Sequence, residues 1–157
     1  MGVNALSIGL LVALGALLLA AGIEDARRRT IANGINAAVA LLAPVWWWAQ
    51  GYTPWPDMGF QLVLAAVVFA LFAGAFALGM MGGGDVKLIG ALALWLPVTP
   101  LLNLLIVMSL AGGALTLLMM VERRLRPSEG VLEIPYGVAI AFAGLLALRE
   151  PIFNQLA

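Results

Sequence analysis

Eight acids and eight bases are all the charge that 157 residues carry here, and there is no histidine and no cysteine. Proton transfer would therefore fall to carboxylates, lysine or tyrosine. Thiolate catalysis, disulfides and cysteine-ligated zinc or iron–sulfur centres are excluded, and without His or Cys a transition-metal site is not expected. No metal and no cofactor is called for. Two acids stand apart from the rest. Asp25 follows the first apolar run in EDARRRTIANG, and Asp85 follows three glycines in GMMGGGDVKLIG. Asp57 and Glu150 fit solvated outer loops, Glu122 abuts Arg123 and Arg124, and Glu129 and Glu133 fall in a charged loop, so none of these needs a chemical role.

Two carboxyls that approach each other cannot both ionise cheaply, so one keeps a proton while the other stays charged. Such a pair can draw a proton from water with one member and polarise a carbonyl with the other. Gly82, Gly83 and Gly84 would let a second chain come close to Asp85 and let the backbone take dihedrals closed to other residues. A helix in lipid must be unwound before it is cut, and its freed backbone groups need partners; a glycine strip beside an aspartate can offer both room and an edge to pair with. Plainer readings stand beside these. The glycines can be a turn, Asp85 a helix N-cap, and Asp25 a partner of the arginines after it, with Glu24 its competitor.

These residues need elements to hold them. The chain is 64% hydrophobic and 10% charged, with a mean hydropathy of +1.07; a soluble domain has about a quarter of its residues charged. The apolar runs are long and do not alternate, which predicts an all-α polytopic membrane protein rather than a barrel. Spans are expected at about 4–23, 34–49, 59–79, 86–96, 100–121 and 134–149. The first is read as a retained helix, because MGVNALS lacks the basic n-region of a secretory signal. The fourth, from Gly84 to Leu96, is short, roughly 20 Å at 1.5 Å per residue; its length suits a buried half-span or a re-entrant segment, but the placement of the charges calls for a sixth crossing. With six crossings, Arg27, Arg28, Arg29, Lys87, Arg123, Arg124 and Arg126 share one side and only Arg149 faces the other. The basic side is then cytoplasmic and both termini lie outside. Trp46, Trp47, Trp48, Tyr52, Trp55 and Trp95 fall near the outer interface. The whole of 1–157 is expected to be a single integral-membrane domain, with the lipid bilayer as a partner and no nucleic acid.

Three motifs carry a family likeness. D-A-R-R-R-T-I-A-N from Asp25 resembles the D-x-R-x-R-x-I-P-N stretch after the first helix of type IV prepilin peptidases. G-G-G-D-V-K, Gly82 to Lys87, resembles their GxGD-x-K segment, and I-P-Y-G-V-A-I, Ile134 to Ile140, resembles the opening of their last helix. The order is right and the three cover essentially the whole chain, most like the short branch serving tight-adherence (Flp-type) pili. The resemblance implies an intramembrane aspartic endopeptidase of the bacterial inner membrane that removes the cytoplasmic leader of prepilins and pseudopilins. It implies Asp25 and Asp85 as the catalytic pair, Gly82 and Gly84 as motif glycines, and Arg27, Arg29, Asn33 and Lys87 as supporting positions that orient the loop or hold substrate carboxylates. Pro135, Tyr136 and Gly137 would brace the site from the last helix. Ala32 stands where the family usually has proline. The cysteine-containing cytoplasmic segment of the long-form members is missing, so cleavage without N-methylation is expected.

Rival readings are set apart by residues. Presenilin-like proteases share GxGD but carry a YD pair and a PAL motif; here Glu24 precedes Asp25 and no P-A-L occurs. A proton- or ion-coupled transporter or channel subunit would use the two aspartates near the bilayer midplane rather than at one face. A purely structural assembly subunit would not need the pair at all. Gly112 and Gly113 are candidates for contact with a substrate helix.

Overall fold

The computed structural model describes residues 5–125 and 134–149; Arg126, Glu129, Glu133 and Glu150 lie outside the described residues. The described chain is all helix: α1 (Ala5–Arg28), α2 (Asn33–Ala49), α3 (Gly59–Ala77), α4 (Gly83–Ala93), α5 (Val98–Leu125) and α6 (Tyr136–Ala147). A short wide turn, Pro54–Met58, leads into α3. Its Asp57 is held locally, since Thr53 donates both its N–H and its Oγ1–H to Asp57 Oδ2 at 2.9 and 2.8 Å.

Three segments are long and apolar enough to cross a membrane: Ala5–Arg28, Pro54–Ala77 and Val98–Leu125. The protein is a multi-pass membrane protein. The remaining helices are shorter, with 17 residues in α2, 12 in α6 and 11 in α4. At 1.5 Å per residue α4 is about 16 Å long, and it stops at Ala93 rather than at the expected Leu96. The segment is a short helix enclosed by others. It leans on α2, α3 and α6, and Asp85, Val86 and every residue from Leu88 to Ala93 are buried.

Around α4 the packing is built from small residues. Burial of leucine gains nothing over lipid tails, so helices in a bilayer associate through close van der Waals contact. A Cβ on Gly22 would stand 3.0 Å from Ala141 Cβ, and one on Gly144 would stand 2.8 Å from Leu18 Cδ1, so α1 and α6 meet where side chains are missing. Leu14, Leu18, Leu88, Ile89, Leu92 and Ile140 fill the space between α1, α4 and α6 and are fully buried. Gly112 belongs to the same logic: a Cβ there would meet the Tyr136 ring at 3.2 Å, so it packs α5 on α6, while Gly113 faces open space.

The tryptophans divide. Trp48 and Trp55 are exposed, as an interfacial belt requires, whereas Trp46, Trp47 and Trp95 are buried. Trp46 stacks on Trp95 with ring centroids 5.7 Å apart. Indole N–H groups turn inward because carbonyls await them: Trp47 Nε1–H donates to Leu94 O at 2.7 Å and Trp95 Nε1–H to Val39 O at 2.9 Å. Gln61 closes the same end, donating from Nε2 to Ala93 O at 2.6 Å and Leu96 O at 2.7 Å. The last carbonyls of a helix have no partner within it, and at this end of α4 side chains from α2 and α3 supply them.

Candidate active site

Asp25 lies one turn before the end of α1, and its own backbone helps to end the helix. Arg29 takes a left-handed conformation with φ 56° and donates its N–H to Asp25 O at 2.9 Å. Glycine usually fills such a stop. The chain then runs through a short loop to α2, which Glu24 clamps: its Oε2 accepts the Ala32 N–H at 2.8 Å, and its Oε1 lies 3.9 Å from the Arg28 guanidinium. Glu24 is thus engaged in holding the loop. Ala32 has φ −60°, a value proline also takes, but a proline would remove the N–H that Glu24 accepts.

The clamped loop delivers Ile31 into the core, 7% exposed, between two glycines from distant parts of the chain. A Cβ on Gly84 would stand 3.2 Å from Ile31 Cβ and 3.3 Å from its backbone N, and one on Gly137 would stand 2.8 Å from Ile31 Cδ1. Ile31 therefore draws the start of α4 and the start of α6 onto the end of α1. Gly137 answers the carboxyl as well. Its missing Cβ would lie 2.8 Å from Asp25 Cγ and Oδ2, so any side chain there displaces Asp25. The next residue, Val138, donates its N–H to Asp25 Oδ2 at 3.3 Å. The unsatisfied amides at a helix N-terminus favour an anion, and the first turn of α6 is directed at this one.

Asp85 occupies the first turn of α4, where Gly82 N–H donates to its Oδ2 at 3.2 Å. Asp85 is therefore not the N-cap of α4: Gly82 is, and the carboxylate, three residues further on, reaches back to the cap's N–H. Its other oxygen is not so used. Asp85 Oδ1 is buried and without a hydrogen-bond partner among the described residues. Asp25 is 4% and Asp85 7% exposed. Asp25 acts on Asp85 as a like charge, whereas the Arg29 guanidinium acts on Asp25 with the opposite sign.

The other expected positions separate into near and far. Lys87 Nζ donates to Asn33 Oδ1 at 2.8 Å, tying α4 to the start of α2. Asn33 is the first residue of α2 rather than its cap. Gly83 packs against the Phe76 ring, 3.4 Å from a built Cβ. Pro135 is buried just before α6 and Tyr136 is half-buried against Gly112. Arg27 is exposed. One residue was not singled out from the sequence: Asn36, 4% exposed, whose Nδ2 donates to Gly84 O at 3.1 Å and whose Oδ1 is buried without a partner. The signal was present, since a polar amide within an apolar span is costly unless used. No group of three metal-ligating side chains occurs among the described residues.

A pair of buried carboxyls held at helix ends, with one oxygen left unengaged, can activate water and protonate a leaving group. Over residues 12–117 the chain matches the type IV leader peptidase family, a stretch that contains Asp25, Ile31, Asn36 and Asp85. No curated protein and no solved structure matches it.

Proposed function

Because the chain belongs to the type IV leader peptidase family, a family of membrane peptidases, we propose that it is an intramembrane aspartic endopeptidase whose reacting pair is Asp25 and Asp85. The reading is carried by the convergence of two buried carboxyls on Ile31, through Gly84 and Gly137. One carboxylate takes a proton from water, the water oxygen attacks the scissile carbonyl, and the partner carboxyl protonates the departing amine. The α6 amide at Val138 holds Asp25 in place, and the buried free oxygen of Asp85 is positioned to meet the water or the carbonyl. The substrates are prepilins and pseudopilins of the tight-adherence type, cut at the cytoplasmic face of the inner membrane without N-methylation. Arg27, Arg28, Arg29 and Lys87 lie on the cytoplasmic side, both termini lie outside, and residues 1–157 act as one domain. The motif glycines and the order of the three motifs support the branch.

The test is leader cleavage. Purified protein in lipid is mixed with a tight-adherence prepilin, and the mass shift is followed for wild type, Asp25→Asn and Asp85→Asn. Cleavage by wild type alone, with both variants folded, supports the pair. Cleavage by either variant removes that residue from it, and a wild type inert on several prepilins turns attention to proton-coupled transport.

A further inference from the structure

Helices α2 and α3 both rest on α4, yet they make little contact with each other. Between them runs a groove of about 610 Å³ with α4 as its floor. Lys87, Gly90, Ala91 and Leu94 share one face of α4 and line it, while Asp85, Leu88 and Leu92 lie on another. The α2 wall is small, Ala37 and Ala40, while the α3 wall sets Ala65 and Ala66 between the larger Leu62 and Phe69. Where the alanines line it, a second backbone can approach closely. The groove is apolar along most of its length and polar at one end, where Asn33, Asn36 and Lys87 stand.

That end is unfinished. Asn36 is 4% exposed and lines the groove, and its Oδ1 has no partner among the described residues. A buried acceptor without a donor is unfavourable, so it calls for an N–H or O–H from whatever occupies the space. A lipid tail has none to give. The first turn of a helix has four backbone N–H groups without partners. Asn36 also holds Gly84 O at 3.1 Å, so the groove ends one residue from Asp85.

We propose that this groove seats the apolar transmembrane helix of the substrate, with Asn36 Oδ1 accepting a backbone N–H from that helix's first turn. The proposal rests on the peptidase reading above. In a substrate whose leader precedes its apolar helix, the first turn of the helix adjoins the bond to be cut. Seated here, the chain leaves the groove at Asn36 and crosses the glycine ridge at Gly82, where a Cβ would meet only the Asp85 carboxyl, to reach the face of α4 that carries Asp85. Gly82 is then the path between seat and scissile bond.

The chain has no cysteine of its own, which makes cross-linking clean. Single variants Ala66→Cys, in the groove, and Leu110→Cys, 70% exposed on α5, are oxidised in lipid with a prepilin carrying one cysteine within its apolar helix. The expected result is an adduct at Ala66→Cys about tenfold stronger than at Leu110→Cys, and its weakening by a similar factor in Asn36→Ala. Equal adducts at the two positions overturn the proposal. So does a phospholipid that the parent chain retains and Ala66→Trp loses, with leader cleavage by Ala66→Trp unchanged. Leader cleavage by the parent chain is measured alongside. A strong Ala66→Cys adduct without cleavage rejects the peptidase reading and keeps the seat, whereas cleavage with equal adducts rejects the seat alone.

Discussion

The two ends of α4 face the same problem and solve it differently. At the Ala93 end, Gln61 and Trp47 satisfy the terminal carbonyls at 2.6 to 2.7 Å, and Trp95 locks the adjoining turn to α2. At the Gly83 end the contacts are longer, 3.1 to 3.2 Å, and two buried oxygens, Asp85 Oδ1 and Asn36 Oδ1, have no partner among the described residues. One end is an anchor and the other is kept incomplete. Buried polar atoms are nearly always paired in folded proteins, and an exception calls for an explanation. The explanation favoured here is that the missing partners arrive with water and substrate.

The comparison breaks most sharply at the carboxyls. Asp25→Asn or Asp85→Asn should lower leader cleavage by about 10⁴-fold and leave the melting temperature nearly unchanged, as read by a gel assay and thermal scanning. Next comes Gly137→Ala. Its methyl would collide with the Asp25 carboxyl, and a displacement of about 1 Å at a reacting group costs on the order of 10²-fold. A loss in kcat at near-wild-type stability is expected; full activity would show that Asp25 has room to move. At the other end the prediction inverts. Gln61→Leu strands two buried carbonyls and should cost about 1–3 kcal/mol of stability, with specific activity retained below the lowered melting temperature. If cleavage fell while stability held, the anchor would not be merely an anchor. The smallest effect is expected for Glu24→Gln. The amide oxygen still accepts the Ala32 N–H, and the exposed pair with Arg28 contributes at most about 1 kcal/mol, so activity should stay within about twofold.

What could be read in advance follows from cost. Ionisable groups are so unfavourable in an apolar chain that Asp25 and Asp85 stand out at once, and apolar runs of spanning length gave the all-helical membrane fold. Uncharged amides are cheaper and less conspicuous, so Asn36 and Gln61 passed unremarked, though one lines the groove and the other secures the far end of α4. Nor does any local pattern tell that Gly137 must lack a Cβ because of Asp25, which stands in the first helix of the chain. The inward turn of Trp46, Trp47 and Trp95 was hidden for the same reason: an indole follows the nearest unpaired carbonyl, and where that carbonyl lies is a tertiary matter. The end of α4 at Ala93 rather than Leu96 is another such case: the N–H groups of Leu94 and Trp95 turn back to Ala91 O and Leu92 O and tighten the last turn, and the carbonyls beyond it are taken by Gln61 and Trp47.

Arg29 sits under two opposed pressures. Its left-handed backbone, φ 56°, is one that glycine adopts freely and that costs other residues roughly 1–2 kcal/mol. An engineer seeking a sturdier protein would write glycine there and obtain one. The guanidinium that acts on Asp25 would be lost in the exchange, along with one of the three successive positive charges of the first loop. The most tempting stabilising substitution in the molecule is thus also a trap, and a variant ranked by melting temperature alone would carry it forward unnoticed.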